Sequence, residues 1–247
     1  SRLTDVDVGV ISGDTLSLTL GNDTLGENFL SIATSEVSLT TDITRLRTQA
    51  SSRAGDPLEE MFPYKMTINE TDDLIIDAVA GTSETLSIAA GGSLSLLGSI
   101  RSQADVVLES VADFQVNAPI TTSFGSVTMR GPNVVINSAV RVLDAIQDER
   151  LTDILIEATE PGGGMVLNDA ISGLNRVQLN SAGSVTGDAR VRADVVDVNA
   201  NGDVQFSTAA NLVTVDASGT VRVEDEGAVA FEVRESADVT LVSMGTD

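Results

Sequence analysis

Apolar residues recur every twenty positions, at Leu74, Leu94, Phe114, Val134 and Ile154. Two places on, Ile76, Leu96, Val116, Ile136 and Ile156 repeat the spacing. Two places further come the small residues Ala78, Gly98, Ala118, Ser138 and Ala158. A fixed period matched at three positions is the mark of a repeat architecture. In such a chain each unit buries its apolar face only by stacking on its neighbours.

The local signal inside each unit is alternation with period two. Leu16-Ser17-Leu18, Leu86-Ser87-Ile88, Val127-Thr128-Met129 and Val221-Arg222-Val223 all show it. Apolar and polar residues in strict alternation read as half-buried β-strands. The gaps between them are filled by Gly, Asn, Asp and Ser, the residues of tight turns. Each unit is expected to hold two strands, one set centred near Thr67, Ser87, Val107 and Thr128, the other near Ile75, Ser95, Gln115, Val135 and Leu155. At about 3.3 Å per residue, such a unit is long enough to circle a narrow core once.

From Met165 onward the period shortens without losing the pattern. Val177, Val196, Val213 and Phe231 begin one strand set, and Val185, Val204, Val221 and Val239 the other. The motif apolar-x-apolar-[Asn/Asp]-small spans both blocks, as in Val134-Val135-Ile136-Asn137-Ser138 and Val196-Asp197-Val198-Asn199-Ala200. The expected fold is therefore all-β, a parallel β-helix or β-solenoid with about 17–20 residues per coil. Residues 65–247 form the rod, with an irregular rung near 141–164 where Leu143–Asp153 has helix-like composition. Residues 1–40 read as an irregular N-terminal β segment, and 41–64 as an insertion or loop on one face.

Composition agrees with a narrow core. Aromatics make up 3% of the 247 residues, and there is no Trp, Cys or His. A wide ring would disturb the layer above it, so Val, Leu, Ile and Ala do the packing. Fourteen basic residues face 37 acidic ones, for a formal charge of −23. Nucleic acid is therefore not an expected partner, since phosphate recognition needs a basic surface. No apolar run approaches the roughly 18 residues of a membrane span, so membrane insertion is not expected. Beginning at Ser1 without an initiator Met, the chain reads as a processed product or a piece of something longer.

Candidate chemistry is sparse. Without His or Cys there is no Ser-His-Asp or Cys-His device and no His/Cys zinc site. Paired carboxylates could serve a polysaccharide-degrading enzyme, but no aromatic platform for sugar rings accompanies them. No catalytic or cofactor-binding residue is assigned, and the chain is expected not to be an enzyme. Gly21-Asn22-Asp23-Thr24-Leu25-Gly26 looks like a single unit of the calcium-binding nonapeptide repeat of secreted bacterial toxins. One copy cannot make that stacked site; calcium stays open, and metal ligands are unassigned. The polar row Asp77, Asn117, Asn137, Glu157, Asn180, Asn199 and Asp216 reads as a hydrogen-bonded ladder along the rod rather than a metal site. Gly91-Gly92 and Pro161-Gly162-Gly163-Gly164 read as turns, because no lysine follows in P-loop spacing.

The stretch from Thr85 to Leu96, TLSIAAGGSLSL, resembles the repeats of filamentous haemagglutinin-type bacterial exoproteins, as does Val196 through Val221. That resemblance covers the chain from about Lys65 and implies a right-handed parallel β-helix in a secreted or cell-surface adhesin. The first expectation is a structural or adhesive element of a bacterial extracellular surface fibre, self-associating end to end or belonging to a longer rod. The alternative is an adhesin module that binds a carbohydrate or protein receptor through the 41–64 loop.

Overall fold

The computed structural model describes residues 10–20, 36–50, 65–82, 85–143, 153–227 and 229–243. Among them every regular element is a β-strand and there is no helix. All the strand pairings are parallel, and they join successive coils of a β-solenoid. Where the rod is regular, each coil advances the chain by 20 residues, as from Asn117 to Asn137.

The five coils that begin at Leu86, Val106, Val127, Ile154 and Arg176 carry three strands rather than two, whereas the coil from Lys65 and those from Val195 onward carry the two expected. The coil with Leu86–Ala90 on the first face (A) continues through Leu94–Leu96 on the second (B) and Ile100–Ser102 on the third (C). The next repeats it with Val106–Ser110, Phe114–Val116 and Ile120–Thr122. The separate face-C strands are only two or three residues long, which makes them hard to separate from turns in sequence.

Alternation does the packing. Along face A, Met66, Leu86, Val106, Val127, Ile154, Val177, Val196 and Val213 stack as one buried column. Leu74, Leu94, Phe114, Val134, Met165, Val185, Val204 and Val221 form the corresponding column on face B. Removing each such side chain from water contributes roughly 1.5–3 kcal/mol before chain entropy is subtracted. The coil corners demand small residues. A Cβ on Gly98 would lie 1.2 Å from the Asp77 carbonyl oxygen, so the backbones of adjacent corners touch there.

Two expectations need correction. Ile154 is not the fifth member of the face-B row: it pairs with Val127 on face A, and Met165 takes the place above Val134. The coil between them is long, with 31 residues separating Asn137 from its equivalent Asn168. Extra residues after Val142 shift the phase, and both faces carry the same apolar-x-apolar pattern, so periodicity alone cannot tell them apart. The expected helical turn at Leu143–Asp153 falls almost wholly on 144–152, outside the described residues.

Residues 41–50 also differ from the insertion expected at 41–64. They belong to strand β2 (Glu36–Ala50), which pairs with Lys65–Glu70 through its first half and with Leu74–Thr82 through its second. Strand β1 (Ile11–Leu20) stacks beneath it in parallel register. Thr41, Ile43 and Leu46 point inward and are buried, which is why this polar-looking stretch is strand. The solenoid therefore begins before Lys65. Residues 51–64 lie outside the described set.

The shortening toward the C terminus has a local cause. Val204 pairs with Val185 on face B while Arg190–Arg192 on face C pair with Ser207–Ala209. Val204–Ala209 is thus one continuous strand spanning both faces, and its coil omits a turn. The offset there is 17 residues, as between Asp203 and Thr220.

Candidate functional site

The polar row read from sequence is two separate rows, and only the first, from Asn117 to Asn168, is a continuous hydrogen-bonded ladder. On the corner after face B, Asn137 Nδ2 donates to Asn117 Oδ1 at 2.8 Å, and Asn168 Nδ2 donates to Asn137 Oδ1 at 2.8 Å. Asp77 stands at the start of this row but is held by Arg45 in a bidentate pair, with Arg45 Nε donating to Oδ2 at 2.9 Å. That guanidinium keeps the Asp77 carboxyl below the usual carboxylate range. Glu157, Asn180, Asn199 and Asp216 lie instead along face A, in mutual register. There Asn180 Nδ2 donates to Glu157 Oε1 at 3.4 Å. Asn168 joins the first ladder unforeseen, because the long coil displaces it from the twenty-residue spacing.

A second ladder runs along the corner between faces A and B. The residue before each face-B strand reaches the next coil. Ser93 N–H donates to Asp73 Oδ1 at 2.6 Å. Asn133 Nδ2 donates to Asp113 Oδ1 at 3.2 Å and to Glu160 Oε2 at 3.4 Å, while its own Oδ1 accepts from Gly164 N–H at 3.1 Å. Asp203 N–H donates to Ser184 Oγ at 3.0 Å, and Thr220 donates to Asp203 Oδ1 through both N–H and Oγ1 at 2.8 Å. The Thr220 backbone and hydroxyl donors hold the Asp203 carboxyl below its usual range.

Among the described residues three carboxylates are buried, and each braces a turn. Glu70 Oε2 accepts from Thr41 Oγ1 at 2.7 Å and from Ile43 N–H at 2.9 Å, and its Oε1 from Thr71 N–H at 2.8 Å. It occupies a position where later coils carry Ala90 or Ser110. Asp153 accepts from the N–H groups of Leu174 and Asn175 and from Asn175 Nδ2. Asp225 accepts from Gly227 N–H at 2.7 Å and Ala210 N–H at 3.3 Å. Buried carboxylates with donors of this kind are satisfied structural groups. Among the described residues no group of three or more acidic side chains converges as a metal site. The Gly21–Gly26 segment lies outside the described residues.

Among the described residues a groove of about 500 Å³ lies near the C-terminal end of face C. Leu174, Arg190, Arg192, Asp194, Asn211 and Glu226 line it. Its three carboxylates are already engaged: Arg190 pairs with Glu226, Asn211 Nδ2 donates to Asp194, and Asp225 accepts from the Gly227 and Ala210 N–H groups. Arg192 adds a cation to the groove wall.

Arg192 belongs to a larger pattern that the sequence reading did not isolate. The outward column of face C reads Arg101, Thr121, Arg141, Ser172, Arg192 and Ala209. All three arginines are exposed. Arg45, Arg130, Arg176, Arg190, Arg222 and Arg234 each pair with a carboxylate of the chain. Arg101, Arg141 and Arg192 have no ion-pair partner among the described residues. The signal was present in sequence as Arg101 and Arg141 two repeats apart, but face C itself was not legible there. Comparison of the chain with protein-family models, with curated proteins and with solved structures returned no match.

Proposed function

We propose that this chain is a structural segment of a bacterial extracellular surface fibre, a rod that extends by adding coils end to end. The observation that carries this reading is the state of the last described coil. Val239 and Leu241 continue the inward columns of Val221 and Val223, yet they are 41% and 37% exposed where their neighbours one rung below are 1% and 0%. A further coil in register would bury both side chains and pair the open strand edge, whether the same polypeptide or another copy supplies it. The extracellular and adhesive side of the proposal rests on the repeat resemblance. A role without catalysis fits the two corner ladders, where Asn117, Asn137, Asn168, Asn133 and Asp203 bond coil to coil.

Negative-stain electron microscopy of the purified chain across a hundredfold range of concentration tests the proposal. Rods whose length grows with concentration, and a Val239→Arg/Leu241→Arg variant that stays short, are the expected results. Particles of one fixed length at every concentration would overturn end-to-end assembly. Antibody labelling of intact producing cells tests the location, and labelling only after permeabilisation would overturn it.

A further inference from the structure

The arginine column on face C has a counterpart on the corner between faces A and B. That corner carries an exposed carboxylate on alternate coils. Asp73, Asp113, Asp203 and Asp238 occupy equivalent positions. In the coil where Gly164 takes that position, Glu160 from the same turn reaches the row through Asn133. The coils between present the uncharged Ser93, Asn133, Ser184 and Thr220. The arginines also fall on alternate coils, separated by Thr121 and Ser172.

Alternation has a plain cause. Adjacent coils are about 4.8 Å apart, and like charges at that spacing repel. Skipping one coil puts the charges about 9.6 Å apart. Both stripes therefore share one period of two coils, the backbone setting the coil spacing and the side chains the alternation. In a three-sided coil the corner between A and B lies opposite face C. The acidic edge and the basic face of one rod point in opposite directions.

We propose that copies of this chain associate side by side, with the acidic edge of one rod seated on the Arg101–Arg141–Arg192 stripe of the next. The occupant is a second copy because its carboxylates carry the same two-coil period as the arginines they meet. Arginine suits the contact, since its planar guanidinium engages a carboxylate through two hydrogen bonds. The contact joins two different surfaces, so it does not close on itself and propagates into a sheet or bundle of rods. It extends the fibre reading from the ends of the rod to its sides, and rests on that reading only in treating the rod as a unit of assembly.

Salt gives the contact a signature. Each copy carries a formal charge of −23. At about 0.01 M salt the screening length is roughly 30 Å, so whole rods repel. At about 0.15 M it falls to roughly 8 Å, which removes the long-range repulsion while contact pairs survive. At about 1 M it is roughly 3 Å, and the pairs weaken too. Lateral association should therefore peak at intermediate salt.

Sedimentation velocity at these three salt concentrations, with micrographs scored separately for rod width and rod length, tests the inference. The parent chain should widen most near 0.15 M. An Arg101→Gln/Arg141→Gln/Arg192→Gln variant and an Asp113→Asn/Glu160→Gln variant should each weaken lateral association at least tenfold, with unchanged β-sheet circular dichroism and unchanged lengthwise growth. All five positions are exposed, and the amide oxygens of Asp113→Asn and Glu160→Gln can still accept from Asn133, so unchanged circular dichroism separates lost association from lost folding. Mixing an Arg101→Glu/Arg141→Glu/Arg192→Glu chain with an Asp113→Arg/Glu160→Arg chain should restore widening that neither shows alone. A parent that stays one rod wide at all three salts, or an arginine variant that widens like the parent, overturns the inference. Loss of lengthwise growth with widening intact would instead strike the end-to-end proposal alone.

Discussion

Replacing Phe114 by Ala is the sharpest test of how this rod is held together. Phe114 is the largest fully buried side chain among the described residues, with 0% exposure. It lies between Leu94 on one coil and Val134 on the next, in register with both. A Cβ placed on Gly131 would come within 3.1 Å of the Phe114 Cβ, so the coil above is already pressed close. Truncation leaves a cavity whose walls are set by the spacing of hydrogen-bonded coils, about 4.8 Å. Leu94 and Val134 cannot move into it without breaking that ladder. A Phe→Ala change in such a site costs about 3–5 kcal/mol. For a domain of this size 1 kcal/mol shifts the midpoint by about 2–4 °C, so a fall of roughly 6–20 °C is expected. Circular dichroism melting reads it directly. Phe124→Ala is the matched control, because that ring is 62% exposed; its change should stay within about 0.5 kcal/mol. Hydrogen exchange should place the Phe114→Ala loss in the coils next to it, since a solenoid couples mainly nearest neighbours. Equal melting shifts for the two variants would refute the stacked-core account.

Other perturbations probe the corners. Gly98→Ala must push apart two backbones that would meet at 1.2 Å, and should lower the melting temperature more than Ala118→Gly at the neighbouring corner; equal shifts would show that the corner is loose. Asn137→Ala removes both 2.8 Å links of the asparagine ladder, for a loss of roughly 1–3 kcal/mol at about 0.5–1.5 kcal/mol per bond, read by denaturant titration. Glu70→Ala strips the acceptor from Thr41, Ile43 and Thr71, and at about 1.5–3 kcal/mol for a charged hydrogen bond it should release β2 first, seen as early exchange of residues 41–46. The Asp203 carboxyl is held below its usual value near 3.8, so its stabilising contribution is complete above that pH and is lost as pH falls through the lower folded value. Asp203→Asn should therefore flatten the acid side of the stability curve below about pH 4 and leave the relative slope near neutral pH unchanged. An unaltered acid limb would show that the Thr220 contacts do not matter.

The amino-acid sequence by itself determined the solenoid. Inward columns such as Leu74–Leu94–Phe114–Val134 are written as a period, because each coil meets the same neighbours and must offer the same face to them. Glycine and small residues at the corners are legible for the same reason. What a period cannot carry is phase after an insertion. Ile154 keeps the twenty-residue spacing from Val134 and still lands on a different face, because faces A and B share one pattern and only the pairing of coils distinguishes them. The separate face-C strands were hidden too, being two or three residues long and framed by turn residues on both sides. With face C unseen, Arg101, Arg141 and Arg192 remained scattered cations, and Asp73, Asp113 and Asp203 scattered turn residues. Only the tertiary structure decided that each set forms a straight stripe, because residues far apart in the chain become neighbours solely through the register of stacked coils.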